Sequence, residues 1–146
     1  ARGSATKNFE IYDLQTRQLI SNAPAMKDAR YEHSCVAASN GYLYAIAGRS
    51  DAADTTSSYM SSIERIYIGE PTSIDSQTWT RISASLTQPR ARTSCVEISE
   101  KIYVIGGRIT ESSSRTTLFQ IVDFIDIGST DAVSSGPSLR DARSAA

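Results

Sequence analysis

Histidine, cysteine, lysine, net charge and long apolar runs are all scarce in this 146-residue chain, and each shortage removes a class of function. The formal net charge is only −1, from 15 basic against 16 acidic side chains, so no general field draws the chain to nucleic acid or to an anionic membrane. One histidine and two cysteines cannot supply the converging ligands of a zinc site, and neither a metal nor another cofactor is expected. The same lone histidine leaves the many serines without a specific catalytic triad. No run approaches the about 18 apolar residues of a membrane-spanning helix. No glycine-rich phosphate loop opens a helix either. Apolar residues nowhere recur at i, i+3, i+4 and i+7 over a helical length, so the chain is read as all-β.

What is present is a repeat. The run Ile102-Tyr103-Val104-Ile105-Gly106-Gly107-Arg108 echoes Leu43-Tyr44-Ala45-Ile46-Ala47-Gly48-Arg49, and the final arginines stand 59 positions apart. Cys35 and Cys95 sit at matching places, 60 apart. Equivalent strands of neighbouring repeat units lie too far apart for a disulfide, which needs Cα atoms roughly 4.4–6.8 Å from each other. Two buried free thiols are therefore expected. With no Asn-x-Ser/Thr sequon, they lean towards a reducing, cytoplasmic setting.

Alternating apolar residues divide the chain into short strands. Residues 8–13 and 17–20 read as a hairpin across Asp13-Leu14-Gln15-Thr16. Residues 34–38 and 42–47 form the clearest hairpin, because Asn40-Gly41 supplies the positive φ angles of a tight turn. Residues 50–62 read as a long polar loop, then 62–68 and 78–82 as strands, the latter carrying Trp79. The pattern returns with residues 93–98 and 101–106, turning at Ser99-Glu100. It continues through a polar loop at 109–115, a strand at 118–127 and a weak strand near Val133.

Each unit thus holds four short antiparallel strands in about fifty to sixty residues, the sequence sign of a β-propeller blade. Met26, Arg30, His33, Tyr44 and Gly48 in one unit, with Trp79, Arg90, Tyr103 and Gly106-Gly107 in and before the next, resemble kelch repeats. The resemblance implies a kelch-type β-propeller with an incomplete ring, two full blades and partial flanking blades. Residues 1–7 are a lead-in, 8–26 hold strands three and four of a partial blade, 27–86 and 87–139 are blades, and 140–146 begin another. Ala47 in place of a glycine, and the missing fourth-strand tryptophan of the first unit, depart from the usual pattern. About three blades are too few to close a ring of four to eight, so further blades are expected, from the same parent chain or another.

The resemblance assigns Tyr44, Tyr103, Trp79 and the glycines to scaffold, the aromatics as fillers that hydrogen-bond through their polar ends. It also points to a non-enzymatic protein-interaction module. In kelch adaptors, arginines at matching places grip acidic peptide segments, since a guanidinium fork pairs with a carboxylate through two hydrogen bonds. Arg49, Ser50, Asp51, Arg92, Arg108 and Arg143 are the expected contact face. Arg30 and Arg90 are expected to bond between blades, and His33 to be a partly buried structural residue. Two other readings stand beside this one. They are the scaffold part of a sugar-acting kelch enzyme, oxidase or mutarotase, and a structural component of a cytoskeletal or other large assembly.

Overall fold

The computed structural model describes residues 4–20, 23–50, 56–69, 74, 76–112 and 115–145, and these are all-β apart from isolated single turns of 3₁₀ helix. Two four-stranded antiparallel sheets dominate. The first joins β3 (Ser34–Ala37), β4 (Tyr42–Ile46), β5 (Ser62–Tyr67) and β6 (Thr80–Ser85) in chain order. The second joins β7 (Ser94–Ile98), β8 (Lys101–Ile105), β11 (Val122–Asp126) and β12 (Ala132–Ser135). A two-stranded sheet, β1 (Ile11–Asp13) and β2 (Gln18–Ile20), precedes them. Its turn is held by the Asp13 carboxylate, which accepts the amides of Gln15 and Thr16 at 2.8 and 3.3 Å.

The first four-stranded sheet is covered on both faces, which is why its second strand is apolar without strict alternation. Tyr44, Ile46, Ile63 and Ile82 pack against Ile102, Val104 and Ile125 of the second sheet. Ala45, Ile66, Ile74 and Trp79 pack with Met26 and with Phe9, Ile11 and Ile20 around the two-stranded sheet. Phe9 meets Trp79 edge to face, with ring centroids 5.2 Å apart. Tyr44 fills its place with its hydroxyl satisfied, accepting from Asn40 at 2.9 Å and donating to Asp131, just ahead of β12, at 3.0 Å. Trp79 differs from expectation, since its buried indole N–H has no partner among the described residues. Its large apolar area alone accounts for its position.

Several local details depart from the sequence reading. Residues 109–115 are not a plain loop, because β9 (Arg108–Ser112) and β10 (Arg115–Leu118) form a hairpin, rich in β-branched Ile and Thr, inserted between β8 and β11. The expected strand at 118–127 is interrupted. Phe119 and Ile121 instead hydrogen-bond to Gly107 and Gly106, and β11 starts only at Val122. At Asn40-Gly41 only the glycine has positive φ, and Gly41 N–H donates to Ala38 at 3.0 Å, giving a three-residue turn with a bulge. The two-residue turn with both φ positive belongs to Ser99 and Glu100. Of the thiols, Cys95 is half-buried and Cys35 is exposed on β3, a sheet edge, so the expected burial fails for Cys35. Both are free. Among the described residues no helix is long and apolar enough to cross a membrane.

Gly48 and Gly107 each hydrogen-bond through the backbone to a segment of the following unit. Gly48 N–H donates to the Arg90 carbonyl at 3.0 Å and Gly107 N–H to the Arg143 carbonyl at 2.7 Å, with φ of +101° and +104°. A Cβ on Gly107 would lie 2.8 Å from the Thr93 methyl and 3.0 Å from the Ala91 carbonyl. Ala47 holds the position equivalent to Gly106 at the same φ of 62° and carries its methyl there, whereas a Cβ on Gly106 would lie 2.4 Å from the Arg143 carbonyl oxygen.

Candidate functional site

Four arginines at one end of the sheets divide by environment into two buried anchors and two members of a polar rim. Arg30 and Arg90 lie just ahead of β3 and β7, and their side chains are fully buried. Arg30 donates to Glu64 at 2.6 Å and to the Ala47 carbonyl at 2.8 Å. Arg90 donates to Asp123 at 3.0 Å and to the Val104 carbonyl at 3.3 Å. Glu64 and Asp123 are the buried carboxylates of β5 and β11. Each guanidinium therefore ties together strands of its own sheet, and the expected bonding between units is carried by the backbone. Arg90 N–H donates to Met60 at 3.2 Å, while its carbonyl accepts from Gly48.

The rim begins at Arg49, which is only 6% exposed. Its guanidinium stacks on the rings of Tyr31 and Tyr59, 5.3 and 4.9 Å from their centroids, and reaches Glu32 at 4.0 Å. Arg92 donates to the other oxygen of Glu32 at 2.7 Å, and this bond raises its already high pKa. One carboxylate is thus shared by two cations. Tyr59 accepts the Thr110 amide at 2.7 Å, so the rim is tied at Tyr59 to the β9–β10 hairpin. Beside it lies a cavity of about 310 Å³ lined by Glu32, His33, Arg92, Thr93 and Ala145. His33 is half-buried, its pKa lowered first by that burial and then by the positive charge of Arg30.

The six expected contact residues are not equivalent. Arg92 keeps 35% of its side chain exposed at the cavity and is the best placed. Arg49 is taken up by its two tyrosines and is a support for the rim, not a surface contact. Arg108 occupies the matching backbone position, bridging Ala91 as Arg49 bridges Tyr31, but Ala91 and Leu118 replace the two tyrosines. It is half-buried, with Nε unpartnered among the described residues. Ser50 is exposed and bonds to the Ser58 carbonyl, whereas Asp51 lies outside the described residues. Arg143 does not match Arg92. Its N–H donates to Phe119 and its carbonyl accepts from Gly107, as Arg90 does with Met60 and Gly48, which puts it in register with Arg30 and Arg90.

Tyr31, Glu32 and Tyr59, which complete the rim, and Glu64 and Asp123, which seat the anchors, were not singled out by sequence. The available signal was spacing, since Glu64 follows Arg30 by 34 residues and Asp123 follows Arg90 by 33. Among the described residues no group of three or more His, Cys, Asp and Glu side chains is arranged to hold a metal ion.

No protein-family model and no curated protein matches the chain. Solved structures do match in fold. One titled "Structure of YjhT" superposes with a TM-score of 0.63 at 18% identity over 85% of this chain. The chain spans about a third of that structure's length (32%), so what the two share is the all-β antiparallel architecture over that part.

Proposed function

We propose that the chain is part of a kelch-type β-propeller that acts without catalysis, recruiting a protein partner with an acidic segment through the arginine-bearing rim. Two four-stranded antiparallel sheets in chain order, packed face to face with the same anchor arginine in each, support the propeller reading. The observation that carries the binding reading is the unequal charge around Glu32. Arg49 and Arg92 share a single carboxylate, and Arg108 stands at the matching position of the next unit. An incoming Asp or Glu side chain completes the donors that Glu32 leaves over, and Arg92, already oriented by Glu32, loses little freedom when it pairs. Arg49 fixes the rim by holding Tyr31 and Tyr59 on either side of its own guanidinium.

Fluorescence anisotropy with peptides of graded Asp and Glu content tests this. Affinity is expected to rise with acidic content and to fall by about 2 kcal/mol, roughly thirtyfold, in Arg92→Ala, with a smaller loss in Arg108→Ala. Lys101→Ala, in a partly exposed pair with Asp126 at the end of β8 opposite Ile105 and Arg108, should change nothing. Affinity independent of acidic content, or undiminished by Arg92→Ala, would refute the assignment.

A further inference from the structure

The backbone hydrogen bonds set successive units in register, position for position. Met26 N–H donates to the Lys7 carbonyl as Leu86 N–H donates to Ser61. Glu64 of β5 lies opposite Arg81 of β6, as Asp123 of β11 lies opposite Ser135 of β12. Lys7, Lys27, Asp28 and Arg81 therefore correspond to Ser61, Thr87, Gln88 and Ser135 one unit later. Every charged member of the first set has an uncharged counterpart in the second.

The four charged residues line one cavity of about 450 Å³, together with Ser50 and Ser61. Arg81 donates through one guanidinium nitrogen to both oxygens of Asp28. Lys7 and Lys27 are exposed, and among the described residues neither has an ionic partner. Three cations thus meet a single carboxylate, and two positive charges stay uncompensated at the hollow. The scaffold does not require them. Thr87 N–H bonds to Asp123 at 3.1 Å just as Lys27 N–H bonds to Glu64 at 2.7 Å, so the same backbone corner is built in the next unit without any of these cations. Like charges gathered around one hollow repel each other unless an anion joins them.

We propose that this hollow binds a phosphomonoester, with Lys7 and Lys27 supplying the two compensating charges and Arg81, oriented by Asp28, keeping its other N–H groups for the phosphoryl oxygens. A phosphomonoester brings close to two negative charges and three strong acceptor oxygens to one point at pH 7, whereas a carboxylate brings one charge and two oxygens. The volume falls in the range of small-ligand sites, with room for the phosphate and for part of the group that carries it. The site is separate from acidic-segment recognition at the rim, since Glu32, His33 and Arg92 line a different cavity.

Calorimetric titration of the 146-residue protein with inorganic phosphate, glucose 6-phosphate, glucose and a peptide carrying one phosphoserine among neutral residues tests the assignment. Glucose should not bind, and glucose 6-phosphate or the phosphopeptide should bind at least about tenfold more tightly than inorganic phosphate. The tighter of the two identifies the source of the phosphate as a small metabolite or a protein. If neither exceeds inorganic phosphate, the hollow takes an adventitious ion only and the proposal is overturned. Lys7→Ser, Lys27→Thr and Arg81→Ser install residues that the next unit already carries at these positions, so the fold accommodates them, and urea titration checks that it does. Each should weaken binding at least about fivefold, and the triple variant should abolish it. Binding that survives in the triple variant, or that is lost in Arg92→Ala, would place the anion elsewhere and refute the site. Because Arg92→Ala should leave this titration unchanged, failure here and failure of acidic-peptide recognition remain separate results.

Discussion

Glu64→Gln puts the buried anchor to its most direct test. The Glu64 side chain is fully buried and accepts three hydrogen bonds, from Arg30 at 2.6 Å and from the amides of Lys27 and Asp28 at 2.7 and 3.0 Å. Glutamine has nearly the same shape, but it offers one acceptor oxygen in place of two and carries no charge. The Arg30 guanidinium would then keep its carbonyl bonds to Ala47 and Ser62 but lose its close, buried counter-ion, retaining only the partly exposed Asp28 carboxylate at 3.6 Å. Breaking a buried pair by removing one partner costs about 3–5 kcal/mol, a large share of the about 5–15 kcal/mol that holds a domain together. With a urea slope of about 2 kcal/mol/M, the unfolding midpoint should fall by about 1.5–2.5 M. Tryptophan fluorescence reports it directly, since the single Trp79 is buried in the core beside the same sheet. The double variant Arg30→Met with Glu64→Leu should recover much of the loss, because it leaves no buried charge unpaired. A midpoint shift equivalent to less than about 1 kcal/mol in Glu64→Gln, or a double variant worse than the single, would refute the anchor role.

Other expectations follow from the same geometry. Gly107→Ala, at φ +104° with the Thr93 methyl 2.8 Å from the new Cβ, should destabilise by about 1–3 kcal/mol by urea titration. His33 is the only histidine and its folded pKa is lowered, so the unfolded chain binds the proton more readily. Its contribution is complete above the unfolded pKa of about 6.5 and is lost as pH falls through the folded value. Melting temperature should therefore drop below pH 6.5, and His33→Gln should flatten that part of the profile. Alkylation with iodoacetamide at pH 8 should modify Cys35 well before Cys95, whose pKa burial pushes up to about 11. Mass spectrometry of the digest distinguishes the two.

The strands were largely legible because their signal is local. Alternation placed β1 to β8 within a few residues, and the echo between Tyr44-Ala45-Ile46 and Tyr103-Val104-Ile105 marked the two sheets as equivalent. The β9–β10 hairpin was not visible, since the residues of β10 are all exposed and carry no apolar period. Burial of charge was also hidden. Glu64 reads as the polar member of an alternating strand, and only the hydrogen bond from Arg30, 34 residues earlier, shows why it lies inside. The contact face was legible as a set of arginines but not residue by residue. Tyr31 and Tyr59 withdraw Arg49 from the surface, while Ala91 and Leu118 hold Arg108 with no aromatic stack, a difference that depends on cross-strand neighbours and not on sequence adjacency.

Arg90 gives the molecule a mechanical property. Its guanidinium is fastened inside the second sheet, yet its own N–H and carbonyl are fastened to Met60 and Gly48 of the first. One residue therefore transmits loss of order from either sheet to the other, for the second cannot melt without releasing the main chain that borders the first. In a stack of repeats such a joint raises the nearest-neighbour term at the expense of independence. The two large sheets should accordingly unfold as one cooperative block, and cutting the joint rather than weakening either core is what would let them melt in separate steps.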